Sequence, residues 1–372
     1  MIYLDNAATT RPYQKALLNA VKFNSDQFFN PSALYQGGLS CAKEIKSAKE
    51  NLLKKIGAIG FDLIFTSCGT ESDNLAIFGV VKRGTFVTDM GEHSAVYKSF
   101  LELKNRGLNV KFIGLNKDGS INEEELYDFV KNNSVDFISI MHVNNETGAI
   151  NDVNNIAKKI KAINPKIVFH VDGVQAFGKI RYNISKDIDL YSISAHKINA
   201  LKGVGALIKR KNLNVSPLII GGGQENGLRS GTENVFGIKV FEYASDIHYE
   251  NIKDNYINVG EIKQYFIDNL SNDFSIISSK ESSPYILTVS AVGLRGEVVM
   301  HSLETKGVIV GNGSACSSKN RFSRVIEACG YSSDVLDGVI RISFSSENTI
   351  DEAIKAVEII NSIVNQLKRT LK

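Results

Sequence analysis

Residues 62–107 read DLIFTSCGTESDNLAIFGVVKRGTFVTDMGEHSAVYKSFLELKNRG. DLIFTS is a short apolar run closed by polar residues, the pattern of a buried strand, and TESDNLAIFGVVKRG after it reads as a helix. TFVTD is strand-like again, and SAVYKSFLELKNRG carries its apolar residues at helical period. Upstream, LSCAKEIKSAKENLLKKIGA sets Ala42, Ile45, Leu52, Leu53 and Ile56 on one face of an amphipathic helix. Downstream come the strand-like runs NVKFIGL, VDFISIMHV, KIVFHVD, DLYSISA and GVGALIKR, with helical segments NEEELYDFV and VNNIAKKIKAI between most of them. Apolar strands alternating with amphipathic helices predict an α/β domain whose mainly parallel sheet is covered on both faces.

The character changes after GGGQENGLRSGT, which ends at Thr232. Residues 232–270 read as a long, largely helical stretch. A strand (YILTVSAVG), a helix (EVVMHSLETKG), a strand (VIRISFS) and a terminal helix from Thr349 follow. This predicts a second, smaller α+β domain.

The 372 residues carry a formal charge of +3, 43% hydrophobic and 22% charged residues. That length suits about two domains of the usual ~100–200 residues. The near-balanced charge argues against stable nucleic-acid binding. No apolar run approaches the ~20 residues of a membrane span, and Asp5 and Asn6 stand where a signal peptide would place its apolar core. No direct membrane binding and a cytoplasmic location are expected. Four cysteines are too few for a disulfide framework, and neither CxxC nor a zinc-type Cys/His spacing occurs, so no metal site is expected.

Polar residues gather where strands end. Ser67-Cys68-Gly69-Thr70-Glu71 is either an ordinary helix cap, with Thr70 and Asp73 in capping-box spacing, or an anion site at a helix start. His93 follows TFVTD, Asn145 and Glu146 follow VDFISIMHV, Asp172 and Gln175 follow KIVFHVD, and Ser194, His196 and Lys197 follow DLYSIS. Each has a bland reading as a cap or a solvated end. Together they fall on the carboxyl edge of one sheet, where ligands of open α/β folds bind. Cys316 sits among small polar residues in GNGSACSS, a setting suited to a reactive thiol; Cys41 and Cys329 lie in helical apolar patterns, and Cys68 is ambiguous.

LDNAATT, NPSA, TESDNLAI, MHVNNETG, HVDGVQ, SAHKI, GGGQENGLRSGT and GSACSS, in that order, resemble the NifS/IscS cysteine desulfurases. These are class V aminotransferases, pyridoxal 5′-phosphate enzymes of fold type I, and the resemblance spans essentially the whole chain. It implies a large domain at residues 12–245 with a mainly parallel seven-stranded sheet, and a small domain from residues 1–11 and 246–372 carrying the Cys316 loop. Lys197 would form the Schiff base, and Asp172 would pair with the pyridinium nitrogen. Gln175 would bond the ring oxygen, and His93 would stack on the ring and act in proton transfer. Gly69, Thr70, Ser194 and His196 would hold the phosphate. Thr232 would reach the partner subunit's phosphate in a homodimer with shared sites. Asn145 would contact cofactor or substrate, and Arg341 would grip the substrate carboxylate.

The implied activity converts L-cysteine to L-alanine, leaving a persulfide on Cys316 for a protein acceptor in iron–sulfur assembly, tRNA thiolation or cofactor synthesis. GSAC is similar to the NifS/IscS branch rather than the SufS branch. Asn199-Ala200-Leu201 and Asn226 depart from the resembled pattern, which commonly has a Tyr-Gly-Pro type turn and an Arg at these places. The alternatives are, first, a selenocysteine lyase or other class V pyridoxal-phosphate enzyme and, second, a non-catalytic sulfur-trafficking partner on the same fold. Lys197, Asp172, His93 and Cys316 argue against the second, and no GxGxxG follows any strand to support a dinucleotide site.

Overall fold

The computed structural model describes residues 1–80, 82–312 and 322–370. Cys316 lies outside the described residues. In chain order the elements are β1 (Ile2–Leu4), α1 (Gln14–Asp26), α2 (Gln36–Lys55), β2 (Phe61–Thr66), α3 (Gly69–Val80), β3 (Thr85–Asp89), α4 (Ser94–Asn105), β4 (Asn109–Ile113), α5 (Glu123–Asn132), β5 (Phe137–Met141), α6 (Val153–Ile163), β6 (Val168–Asp172), β7 (Leu190–Ser194) and β8 (Gly205–Arg210). They continue with α7 (Val235–Glu250), α8 (Ile252–Asn269), β9 (Phe274–Ile276), β10 (Ile286–Ala291), α9 (Gly296–Glu304), β11 (Val308–Asn312), α10 (Arg324–Ala328), α11 (Ser333–Asp337), β12 (Val339–Ser343) and α12 (Ile350–Thr370).

The first sheet has the order β2-β8-β7-β6-β5-β3-β4. All its pairings are parallel except those of β8 with β2 and β7. β8 returns from β7 through a connection too short for the crossover that a parallel partner requires. Successive strand residues point to opposite faces: Ile64, Phe86, Phe137 and Leu207 enter one core, and Leu63, Val87, Ile138 and Ile208 enter the other. That double burial explains why the strands read as continuous apolar runs. The helices close over it with a single face. In α6, Asp152 caps the Asn155 N–H while Val153, Ile156, Ala157 and Ile160 are buried, each large aliphatic contributing about 1.5–3 kcal/mol.

The second sheet has the order β1-β11-β12-β10-β9, antiparallel except for β1 on β11. Strands β1, β9 and β11 and helix α1 add to the sequence reading. The long helical stretch after Thr232 is two helices broken at Asn251. The break has a packing cause: α7 buries Ile238, Val240, Phe241 and Ala244 in the first sheet's core, whereas α8 buries Val259, Ile262 and Phe266 in the second.

Because β1 belongs to the second sheet, residues 5–10 must run from it to the first. Asn6 Nδ2 donates to the Ser343 carbonyl at 3.1 Å, and the Ala7 N–H donates to Ser343 Oγ at 2.9 Å. Four residues on, the Thr10 N–H donates to the His196 carbonyl at 3.0 Å. Asn199 locks the same junction with its backbone in the left-handed region at φ 56°, which Asn tolerates. Its Nδ2 donates to the Arg11 carbonyl at 2.7 Å, and its Oδ1 lies 3.0 Å from His248 Nε2 on α7. The departure at Asn199-Ala200-Leu201 is thus a tightly bonded turn.

Gly173, directly after Asp172, is packed so closely that a Cβ would overlap the Tyr191 ring. Tyr191 cannot retreat, being buried with its hydroxyl 2.9 Å from His142 Nδ1. Gly173→Ala is expected to cost about 1–3 kcal/mol by overpacking, read as a lower denaturant midpoint. An unchanged midpoint would show that the strand end has room.

Candidate active site

Strands β2, β7, β6, β5 and β3 run in one direction, so Thr70, Lys197, Asp172, Asn145 and His93 emerge at one edge of the sheet. They surround a cavity of about 540 Å³, within the roughly 300–1,000 Å³ of small-molecule sites. Every cofactor or substrate residue named from the sequence lines it except Thr232, which is exposed elsewhere, and Cys316, which is not described. The antiparallel β8 does not obstruct this edge. Gly205, its first residue, lets the Cys68 backbone approach to where a Cβ would stand.

At one end of the cavity lie the first turn of α3 and the end of β7. The leading N–H groups of a helix have no helical acceptors and carry its positive dipole end. A Cβ on Gly69 would come 3.0 Å from Val174 Cγ2 and 3.4 Å from Ser194 Cβ, so glycine keeps this approach open. Ser194 Oγ is buried without a hydrogen-bond partner among the described residues, an orphan that an anionic oxygen would satisfy. His196 completes this end, its Nδ1 3.1 Å from Thr9 Oγ1. Of the two readings of this turn, the Thr70/Asp73 capping box does not form among the described residues. Instead Glu71 accepts from the Ser67 N–H at 2.8 Å and from Arg229 Nε at 2.8 Å. Burial opposes its charge, yet the Arg229 and Ser67 hydrogen bonds hold its carboxyl below the usual range.

The floor is acidic and dry. Asp172 is 3% exposed and accepts the Val174 N–H at 3.0 Å. Asp73, on α3, is 1% exposed with its Oδ1 unpartnered among the described residues. One ligand atom from each of Asp73, His93 and Asp172 falls within 4.8 Å of the others. Burial pushes Asp172 up to about 6, against the pull of the Val174 N–H and Lys197, and drives Asp73 well above the carboxylate range. This floor calls for a cationic N–H. Behind it His170 is neutral, pushed by burial down to about 3, and bridges Ser139 and Ser192 at 2.8 and 3.0 Å.

His93 caps α4, its Nδ1 accepting the Ala95 N–H at 3.2 Å. That bond leaves Nε2 to carry the proton of the neutral ring. Burial, then the charges of Lys197, Arg324 and Arg341, push it down to about 4, so it stays neutral through the physiological range. Lys197 Nζ donates to the Ala7 and Ala8 carbonyls at 2.6 and 2.8 Å. The N-terminal crossing segment therefore sets the position of the amine. Gln175 Nε2 shares the Ala7 carbonyl at 2.9 Å.

Arg341 extends from β12 to the cavity's far side. Its Nη1 donates to the Asn145 carbonyl at 2.8 Å and its Nη2 to Asp5 Oδ1 at 2.9 Å, while the buried Nε has no partner among the described residues. A carboxylate beside it would complete the fork. Asp5 thereby joins the site through the same N-terminal segment. Asn226 is exposed with φ 57° and lies outside the cavity lining.

Several lining residues carry little signal in the sequence as site residues. Asp73 lies inside a helix, where spacing does not reveal which side meets the sheet. Arg324 stacks 3.8 Å from the Tyr97 ring centroid and donates to the Glu92 carbonyl at 2.6 Å, with a further bond to the Met90 carbonyl. Its only signal was a position soon after the cysteine loop. Cys41 and Cys329 are buried as expected of small apolar residues, and Cys68 lines the cavity.

The description "Aminotransferase class-V" fits a family model that matches residues 2–356. A protein named cysteine desulfurase IscS, from Dictyoglomus turgidum, is 34% identical, covering 99% of this chain and 95% of its own. A solved NifS-like protein superposes with a TM-score of 0.90 at 32% identity, covering 98% of this chain and 99% of that one. A structure titled "SspA in complex with cysteine" gives 0.80 at 29%, covering 93% and 99%. With a strand-edge lysine, a buried acidic floor and an anion-ready helix start in one cavity, the chain belongs to the class-V aminotransferase family, among its NifS/IscS cysteine desulfurases.

Proposed function

We propose that this chain removes sulfur from L-cysteine, passes it to the Cys316 thiol and releases L-alanine. The observation that carries the residue assignment is the convergence of five strand ends on one cavity with complementary ends. The relative SspA, solved in complex with cysteine, supports the substrate.

Pyridoxal 5′-phosphate fits the donor set. Gly69, Thr70, Ser194 and His196 would receive the phosphate, with the orphaned Ser194 hydroxyl and the α3 N–H groups supplying hydrogen bonds. Asp172 would take a ring N–H⁺, with the buried Asp73 beside it. His93 would lie against the ring, Gln175 would meet the ring oxygen, and Lys197 would anchor the cofactor. Bound there, the cofactor withdraws electrons from the substrate's α-carbon, which no side chain can do.

The chain's own groups do the rest. Arg341 grips the substrate carboxylate, next to Asn145. Lys197 Nζ receives and returns the α-proton. His93, its Nδ1 occupied, offers a proton from Nε2. The Cys316 thiolate attacks the substrate sulfur: the carbon–sulfur bond breaks, a sulfur–sulfur bond forms, the β-carbon is reduced to a methyl group and the sulfur is oxidised to a persulfide. Cysteine plus thiol gives alanine plus persulfide, with no other oxidant.

A homodimer follows from the same reading. Thr232 is exposed in a loop that the Arg229–Glu71 and Lys49–Glu225 ion pairs pin beside the helix-start turn. Leu34, Tyr35 and Ile220 are large exposed apolar residues, 88%, 58% and 85% accessible, suited to burial by a second copy. We assign residues 12–245 to a large domain and residues 1–11 with 246–372 to a small one; the division of α7 and α8 between two cores supports two units, with the last turn of α7 packing on the large one. Among the described residues no helix is long and apolar enough to cross a membrane. The sulfur acceptor is a protein, and a cytoplasmic setting would keep the Cys316 thiol reduced.

Lys197→Ala is expected to lose the visible absorbance of the loaded protein together with alanine production. Cys316→Ser is expected to keep the absorbance but form no enzyme persulfide; persulfide on that variant would overturn the assignment. Arg341→Lys is expected to raise KM for cysteine by about tenfold with a smaller change in kcat, through loss of the fork. Behind His93, burial pushes Asp89 up to about 7, against the hydrogen bond from Gly91 and the charge of Arg324. Its folded value lies above its unfolded one, so its contribution is fully present below pH ~4 and is lost as pH rises toward ~7. Asp89→Asn should therefore gain about 2–3 kcal/mol relative to the parent between pH 5 and pH 8, measured by denaturant unfolding at each pH. A pH-independent difference would contradict that titration.

A further inference from the structure

Lys179 is a buried cation that the chemistry above leaves unused. It is 3% exposed, and its ammonium donates to Gln175 Oε1 at 2.8 Å and lies 5.7 Å from the Tyr285 ring centroid. Gln175, 4% exposed and lining the cavity, donates from Nε2 to the Ala7 carbonyl at 2.9 Å.

The two ends of a primary amide are not interchangeable: its oxygen only accepts and its nitrogen only donates. Turning the Gln175 amide over would set its nitrogen against the Lys179 ammonium and its oxygen against the Ala7 carbonyl, losing both bonds. The Ala7 carbonyl alone is a divided anchor, because Lys197 Nζ also donates to it at 2.6 Å. Lys179 supplies the second point of attachment. With the oxygen turned to Lys179 and one N–H given to Ala7, the amide keeps its second N–H for the cavity.

We propose that Lys179 is a positioning residue: it fixes the Gln175 amide so that Gln175 meets the ring oxygen of the bound cofactor as a hydrogen-bond donor. This rests on the reading of Gln175 as the ring-oxygen contact. A donor stabilises the deprotonated oxygen, and an acceptor in its place would favour the protonated one. Burial, then the charges of Lys197 and Arg341, push Lys179 down to about 7. The orientation holds on either side of that value. A neutral amine still carries N–H groups for the Gln175 oxygen, and the Ala7 carbonyl still requires the amide nitrogen.

The test compares cofactor-loaded parent, Lys179→Met, Lys179→Arg and Gln175→Leu by two readouts other than turnover. These are the dissociation constant for pyridoxal 5′-phosphate and the pH midpoint of the visible absorbance change. Lys179→Met keeps the apolar stem but has no donor. It is expected to weaken cofactor binding about tenfold and to raise the midpoint by about half to one unit, as the oxygen holds its proton longer. Lys179→Arg, which still donates, is expected to stay within about threefold and near the parent midpoint. Gln175→Leu should shift both readouts at least as far as Lys179→Met, and the double variant should go no further than Gln175→Leu.

If Gln175→Leu shifts both readouts and Lys179→Met shifts neither, Lys179 has no hold on the amide and the proposal falls. If Gln175→Leu itself shifts neither, the ring-oxygen contact is the error. Should Lys179→Met fail to fold, Lys179→Arg must stay parent-like, and Lys179→Leu, also without a donor, supplies the discriminating arm: a shift towards that of Gln175→Leu upholds the proposal, and a parent-like titration overturns it.

Discussion

A carboxylate removed from water at the end of a strand is stable only beside a cation or in its protonated form. Asp172 meets that constraint at a position where a second carboxyl, Asp73, lies within 4.8 Å and a third, Glu92, is buried with both oxygens unpartnered among the described residues. So many buried acids cannot all ionise together. Burial and mutual repulsion drive Asp73 and Glu92 well above the carboxylate range, while Asp172, with the Val174 N–H and Lys197 facing it, is held lower, at about 6. The charge of the floor is thereby concentrated on Asp172. Around it the histidines are neutral, His93 at about 4 and His170 at about 3. A ring N–H⁺ is the partner that such a floor lacks.

The N-terminal segment turns that floor into a site. Residues 5–10 bridge the two sheets, and other groups of the same segment serve the cavity. Asp5 braces Arg341, Ala7 and Ala8 hold Lys197, Ala7 holds Gln175, and Thr9 meets His196. A carbonyl that accepts two donors couples them. While Lys197 shares that carbonyl the hold on Gln175 is divided, which gives Lys179 its part in keeping the amide in place. Fold stability and site geometry here depend on the same short segment.

Much of this was legible because burial on both faces leaves a local signature. Lys197, Asp172, His93 and Thr70 each follow a continuous apolar run, so strand, end and edge could be read without tertiary information. The first sheet followed from the same signal. What escaped was of two kinds. β1 and β9 are three residues each, too short to show a period, and β1 pairs with the distant β11, a contact that exists only in the folded molecule. Asp73 and Arg324 act through contacts whose partners lie on other elements, and sequence spacing does not report which helix side or turn faces them. The break at Asn251 belongs with these. Both halves of that stretch have helical pattern, and only the existence of two cores shows why one helix must become two.

The departures from the resembled motifs separate by the same logic. Asn199 occupies a left-handed position and satisfies the Arg11 carbonyl and His248, so its turn keeps Lys197 in place by its own hydrogen bonds. Asn226 also takes a left-handed backbone, but on the surface, with its neighbour Glu225 buried and paired to Lys49. The buried acid, not the exposed amide, ties that loop to α2, while Arg229 ties it to the helix start through Glu71. A cation at position 226 would therefore add surface charge without altering what positions the loop, which Glu225 and Arg229 hold.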